Sequence, residues 1–155
     1  MQGGTRQWMQ WGTRALAAAV LVVVMMPDWC LARTSRLTEV VQAVRAHIRV
    51  QTRTHEGFLP VYDRSTGGSV SLSPLGIDEQ VRPMGEALYA VGVRTADRSE
   101  EKYDLDFFVE QQPQGMVVIA AAIQHDPREE RYTWAQDPQG MWYRKARPEP
   151  YEMLR

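Results

Sequence analysis

The amino-acid sequence predicts an α+β domain: one N-terminal amphipathic helix packed on a curved antiparallel β-meander of five to seven strands. Three observations carry that prediction. Leu37, Val40, Val41, Val44 and Ile48 recur at helical period and form one apolar stripe. Beyond Gly57 the apolar residues alternate instead, as along half-buried strands. The tripeptide Pro-x-Gly occurs four times, at Pro74-Leu75-Gly76, Pro83-Met84-Gly85, Pro113-Gln114-Gly115 and Pro138-Gln139-Gly140, and reads as turn chemistry. Proline presets the φ of a turn's second residue, and glycine accepts the positive φ that closes it.

The chain starts with material of another kind. Ala15 to Met26 is a run of twelve apolar residues with Arg6 and Arg14 before it and Pro27-Asp28 after it. A membrane-spanning helix needs about 20 apolar residues, so the run is short for a span and has the length of a secretory signal core. Residues 1–32 are therefore expected to be a signal peptide cleaved after Ala32, with Cys30 and Ala32 as its small residues and Met9 as an alternative start. The alternative is retention as an N-terminal anchor. Pro27, Asp28 and Trp29 before Cys30 do not make a lipoprotein attachment site. This assigns residues 33–147 to a single domain and 148–155 to a loose C-terminal tail, in a protein that is periplasmic or secreted.

Within the domain, Thr34 and Ser35 offer side-chain oxygens to cap the helix, and Gly57 offers a stop. Phe58 to Tyr62 and Ser69 to Ser73 are expected to form a short hairpin around Arg64-Ser65-Thr66-Gly67-Gly68. Ala87 to Thr95 is a strand with Tyr89, Val91 and Val93 on one face. In the next strand, Tyr103, Leu105, Phe107 and Val109 share one face, and Asp104, Asp106, Phe108 and Glu110 share the other. Met116 to Ile123 is apolar on both faces, which suits a central strand covered by the helix. Glu130 to Ala135 and Met141 to Lys145 make a last hairpin, with Trp134 and Trp142 as a cross-strand pair.

In element order alone, a helix followed by a wrapping meander resembles the cystatin-like arrangement, and more distantly the NTF2-like one, which usually has two or three helices first. The Q-x-V-x-G hairpin of cystatin inhibitors has no counterpart here, so the resemblance implies a fold and not protease inhibition.

Composition narrows function by exclusion. A formal net charge of −1 gives no electrostatic warrant for nucleic-acid binding. A single cysteine excludes a disulfide framework and a four-cysteine zinc site. No Walker loop, dinucleotide fingerprint or G-x-S-x-G turn is present, and the sequence implies no cofactor. Charge is unevenly placed: Arg33 to Arg53 carries five arginines against one glutamate, and the remainder is net acidic. Arg36, Arg45, Arg49 and Arg53 lie off the apolar stripe, a basic face suited to weak contact with anionic lipid headgroups.

Asp104 and Asp106 stand two apart on one strand face, and His125 ends the neighbouring strand. Two carboxylates and an imidazole are the ingredients of a divalent-cation site or of acid–base chemistry. Phe108 and Glu110 share that face and are candidate ligand-binding residues if the sheet is concave there. Histidines at 47 and 55 read as a stripe-boundary residue and a helix cap.

The expectation is a small exported protein of bacterial type, a non-enzymatic domain that binds a protein or small molecule in the cell envelope, with a homodimer as one form of that interaction. The alternative is a small hydrolase, isomerase-like enzyme or metal-binding domain built on Asp104, Asp106 and His125.

Overall fold

A computed structural model describes residues 28–146, with side chains from Ser35 onward. The body of the expected signal peptide and the tail at 148–155 lie outside the described residues. One helix, α1 (Asp28–Thr54), precedes β1 (Leu59–Asp63), β2 (Gly68–Pro83), β3 (Leu88–Ala96), β4 (Lys102–Gln112), β5 (Gly115–His125), β6 (Tyr132–Gln136) and β7 (Trp142–Ala146). Strands β1 to β5 form one antiparallel sheet in chain order, and β6 and β7 form a separate two-stranded sheet. The fold is α+β, and the sheet is open rather than a closed barrel.

The apolar stripe does what its spacing requires. Val40, Val44 and Ile48 pack against Leu59 and Val61 of β1, Leu72 of β2, Tyr89, Val91 and Val93 of β3, and Leu105, Phe107 and Val109 of β4. The helix start differs from expectation. α1 begins at Asp28, so Thr34 and Ser35 are interior, and the Ser35 hydroxyl donates to Glu39 at 3.1 Å instead of capping. The end follows the sequence: Gly57 takes a φ of 92° and its N–H returns to the Thr52 carbonyl at 2.7 Å. His55 Nδ1 lies 2.9 Å from the Gln51 carbonyl, which already accepts the His55 N–H at 3.0 Å, so the ring adds a second contact at the helix end.

Pro-x-Gly closes the β4–β5 hairpin, where Gly115 has a φ of 124°, and the β6–β7 hairpin, where Gly140 has a φ of 79°. Pro83 ends β2. Pro74-Leu75-Gly76 is no turn, correcting the sequence expectation: β2 runs through it, with Leu75 as the extra residue of a bulge. Only Leu72 and the four residues before it pair with β1, so from Ser73 onward β2 has β3 on one side and an open edge on the other. A proline there deprives no second neighbour of an N–H.

A second irregularity lies between Ile77 and Val81, opposite Gly92. A Cβ on Gly92 would come 3.3 Å from the Asp78 Cβ and 3.5 Å from Arg82 Nη1. The missing side chain is the space into which Asp78 and Arg82 fold.

Strand β5 is also a correction. It is the edge of the sheet, not a covered centre, and Ile119, Ala120 and Ala121 are exposed. Its apolar character has another cause: Val118 to Ala121 form one wall of a cleft against α1 and β1.

Candidate functional site

The residues singled out in β4 do not form one site. Asp104 and His125 face each other in register on β4 and β5, and both are exposed. Asp106 is wholly buried, because the β6–β7 hairpin folds over that side of the sheet. Its Oδ2 accepts from the Tyr132 hydroxyl at 2.9 Å and from Trp134 Nε1 at 3.0 Å. Burial pushes its carboxyl above the usual range, opposed by those two hydrogen bonds and by Arg82. Among the described residues, no group of three or more His, Cys, Asp or Glu side chains is placed to hold a metal ion.

Phe108 and Glu110 are engaged within the fold. Phe108 is buried, with the Arg144 guanidinium 5.0 Å from its ring centre, and Glu110 accepts from Gln112 Nε2 at 2.9 Å. Trp134 and Trp142 are not directly opposed, since Trp134 pairs with Arg144 and Trp142 with Gln136. They are diagonal neighbours that flank Arg82, whose guanidinium carbon lies 5.5 Å and 5.9 Å from their ring centres.

All four helix arginines of the basic face are exposed. Arg45 reaches Glu79 at 3.4 Å, whereas Arg36, Arg49 and Arg53 form no ion pair among the described residues.

A second ionic cluster holds the open ends of the sheet together. Arg131, just before β6, grips Asp63 at the end of β1 with both Nη atoms and also binds Asp126 after β5. The Arg131 hydrogen bonds hold Asp63 far below the usual carboxylate range. For Asp126, burial pushes upward, but Arg131 and the N–H groups of Arg128 and Glu129 bring it below its ordinary value. A hollow of about 180 Å³ adjoins this cluster. Both carboxylates are already spent on Arg131 and on turn N–H groups, which makes the cluster a clamp.

Another opening among the described residues is a cleft of about 330 Å³ between the second half of α1, β1 and β5. Phe107 is on its floor, in an edge-to-face contact with His47 at 5.8 Å between ring centres. Leu59 to Tyr62 make one wall and Val118 to Ala121 the other. The register shift between Phe108–Ala120 and Val109–Val118 leaves Ile119 as a bulge residue, half exposed at the cleft. Gln51, one turn beyond His47, completes the lining.

No lining residue carries an acid, lysine or arginine side chain. Burial lowers the pKa of His47, so its neutral imidazole is favoured. Among the described residues, neither the His47 ring nitrogens nor the Gln51 amide is hydrogen-bonded. Two signals of this cleft are present in the sequence: a histidine beside an apolar stripe, and a strand apolar on both faces. Neither says that the two meet.

Comparison with protein-family models, with curated proteins and with solved structures finds no match to this chain.

Proposed function

We propose that this protein is a non-enzymatic binding domain, exported to the cell envelope, that takes a small molecule into the cleft between α1, β1 and β5. The observation that carries this reading is the cleft itself. Its volume, about 330 Å³, falls in the range of small-molecule sites, and its lining mixes apolar side chains with polar groups, among them the unengaged His47 ring and Gln51 amide. His47 and Gln51 come from one helix that Val40, Val44 and Ile48 anchor in the core, so they are held in place before any ligand arrives. Asp104, Asp106 and His125 offer a weaker basis for an enzyme, because Asp106 is enclosed by the hairpin while the other two face solvent.

The test is chemical-shift mapping of the amide spectrum against a library of small neutral and charged fragments. Binding is supported by hits whose shifts cluster on residues 47–51, 59–62 and 118–121. Shifts scattered over the surface, with none concentrated at the cleft, overturn it. Export is tested separately by N-terminal sequencing of the protein from envelope fractions, where a chain beginning at Arg33 is expected and an unprocessed cytosolic chain would contradict it.

A further inference from the structure

We propose that the outer face of α1 docks on an anionic lipid surface, with Arg45, Arg49 and Arg53 as the contact row and Val50 resting among the headgroups. None of these residues lines the cleft, so the surface is separate from it.

Spacing sets the row. Arg45, Arg49 and Arg53 follow one another at four-residue intervals on a continuous helix, so they stand on one flank about 6 Å apart along its axis. All three are exposed. Like charges at this spacing repel and weaken a helix. Arg49 has no acid three or four residues away in either direction. Arg53 has only Glu56, beyond the helix end, and no ion pair joins them among the described residues. Arg45 alone is answered, by the exposed Glu79 of β2 at 3.4 Å. Glu39, hydrogen-bonded to Ser35, precedes the row by more than a turn. Arginines elsewhere behave otherwise: Arg82 and Arg131 are bound to carboxylates, and Arg98 and Arg144 lie over aromatic rings. A row that works against its own helix and holds little within the fold is complementary to an external array of negative charge.

The make-up of the face selects the partner. Its one large exposed apolar side chain is Val50, at 60% exposure, beside Arg49 and one turn from Arg53. A protein interface draws its strength from a central cluster of aromatic or apolar anchors, and a single valine is not one. A lipid surface needs no such cluster. Arginine meets phosphate in two-pronged hydrogen bonds, and a small apolar side chain settles at the headgroup level. The chain beyond Arg53 is net acidic, so attraction is strongest at this face and orients the domain on the surface.

The experiment uses the full chain with phosphatidylcholine alone and with phosphatidylcholine mixed with an equal part of phosphatidylglycerol. Vesicles of each give the bound fraction by co-sedimentation. Bicelles of each, carrying a spin-labelled lipid, give the broadening of individual amide signals. The second readout is resolved by residue, so contact through another segment, including residues 15–26, does not mask it. The expected result is charge-dependent binding that falls as salt rises from about 50 mM to about 500 mM, with broadening centred on residues 45–53. Each arginine beside an anionic surface is worth about a fivefold change in binding. Arg49→Gln with Arg53→Gln should therefore weaken the charge-dependent binding about 25-fold. The thermal transition should be retained, because neither guanidinium has an ion-pair partner in the fold. Glu79→Gln removes the acid that answers Arg45 and should tighten binding by up to about fivefold.

Broadening at residues 45–53 that is absent, or no greater with phosphatidylglycerol than without it, overturns the proposal whatever else holds the chain on the lipid. A double variant that keeps the full broadening overturns it as well. If poly-glutamate shifts these residues and the mixed bicelles do not, the face belongs to an acidic protein partner and the lipid assignment is wrong.

Discussion

Arg82 Nη1 stands 3.6 Å from Asp106 Oδ1 in the layer between the five-stranded sheet and the β6–β7 hairpin, and neither atom has a hydrogen bond. The pair is an ion pair without the geometry of a hydrogen bond. Its surroundings supply the rest: Asp78 holds the other Nη atom at 3.2 Å, and Trp134 and Trp142 flank the guanidinium. Because Asp106 also anchors Tyr132 and Trp134, it is the attachment point of the hairpin to the sheet.

Asp106→Ala leaves the Tyr132 phenol and the Trp134 indole without their acceptor and the Arg82 guanidinium without its buried counter-charge. Loss of one partner from a buried pair costs about 3–5 kcal/mol, and that is the expected fall in urea-unfolding free energy. Asp106→Asn keeps an acceptor for Tyr132 and Trp134 and should lose less. The raised Asp106 pKa also has a pH signature. Its contribution to stability is fully present below its ordinary value of 3.8 and is lost as pH rises through the higher folded value. The Asn variant should lack that component in a pH series of unfolding curves.

The Arg131 clamp carries the opposite sign. Asp63 and Asp126 both have depressed folded pKa values, so their stabilisation is present above the ordinary 3.8 and is lost as pH falls through the folded values. Arg131→Ala is expected to cost about 3–5 kcal/mol near neutral pH and to flatten the acid limb of stability. Arg131→Lys keeps the charge but loses the two-pronged grip on Asp63, and its stability should fall between the two. Thermal melts from pH 2 to 7 check both.

His47 predicts a pH dependence in a different window. Desolvation lowers its pKa from the ordinary 6.5, so stability is fully present above that value and falls as pH drops through the folded value. Replacing His47 with Gln should remove this component and leave the Asp63 and Asp126 limb at lower pH. Following the His47 ring carbon–hydrogen resonance against pH gives the midpoint directly.

Gly92 should tolerate little bulk. Gly92→Val places branched atoms against Asp78 and Arg82 and is expected to cost about 1–3 kcal/mol, the usual penalty of overpacking. Because Arg82 would be displaced, tryptophan fluorescence should change along with stability.

Most of the architecture was legible because it is written in local chemistry. The α1 stripe is a 3.6-residue period, and the β4–β5 and β6–β7 hairpins are turn sequences followed by alternation. The misreadings share one cause. Pro74-Leu75-Gly76 has the letters of a turn but sits where β2 has no second partner, and only the pairing of β1 with β2 reveals that. In the same way, the two apolar faces of β5 are compatible with a covered centre or with one wall of a cleft. Asp106 reads as a candidate acid–base or metal residue because its true role, as acceptor for Tyr132 and Trp134, depends on residues 26 and 28 positions later in the chain. The candidate site was least legible, since Gln51, Tyr62 and Ile119 come from three elements that periodicity treats separately.

The strand order has a consequence for assembly of the fold. Each strand of the main sheet pairs with its immediate predecessor, so the sheet can grow one hairpin at a time without waiting for distant chain. The Arg131 grip on Asp63 is not local in this way, joining residues 68 apart. Closing so long a loop is entropically costly until the intervening strands have shortened the path. That contact is therefore expected to form late, and its loss should speed unfolding far more than it slows folding.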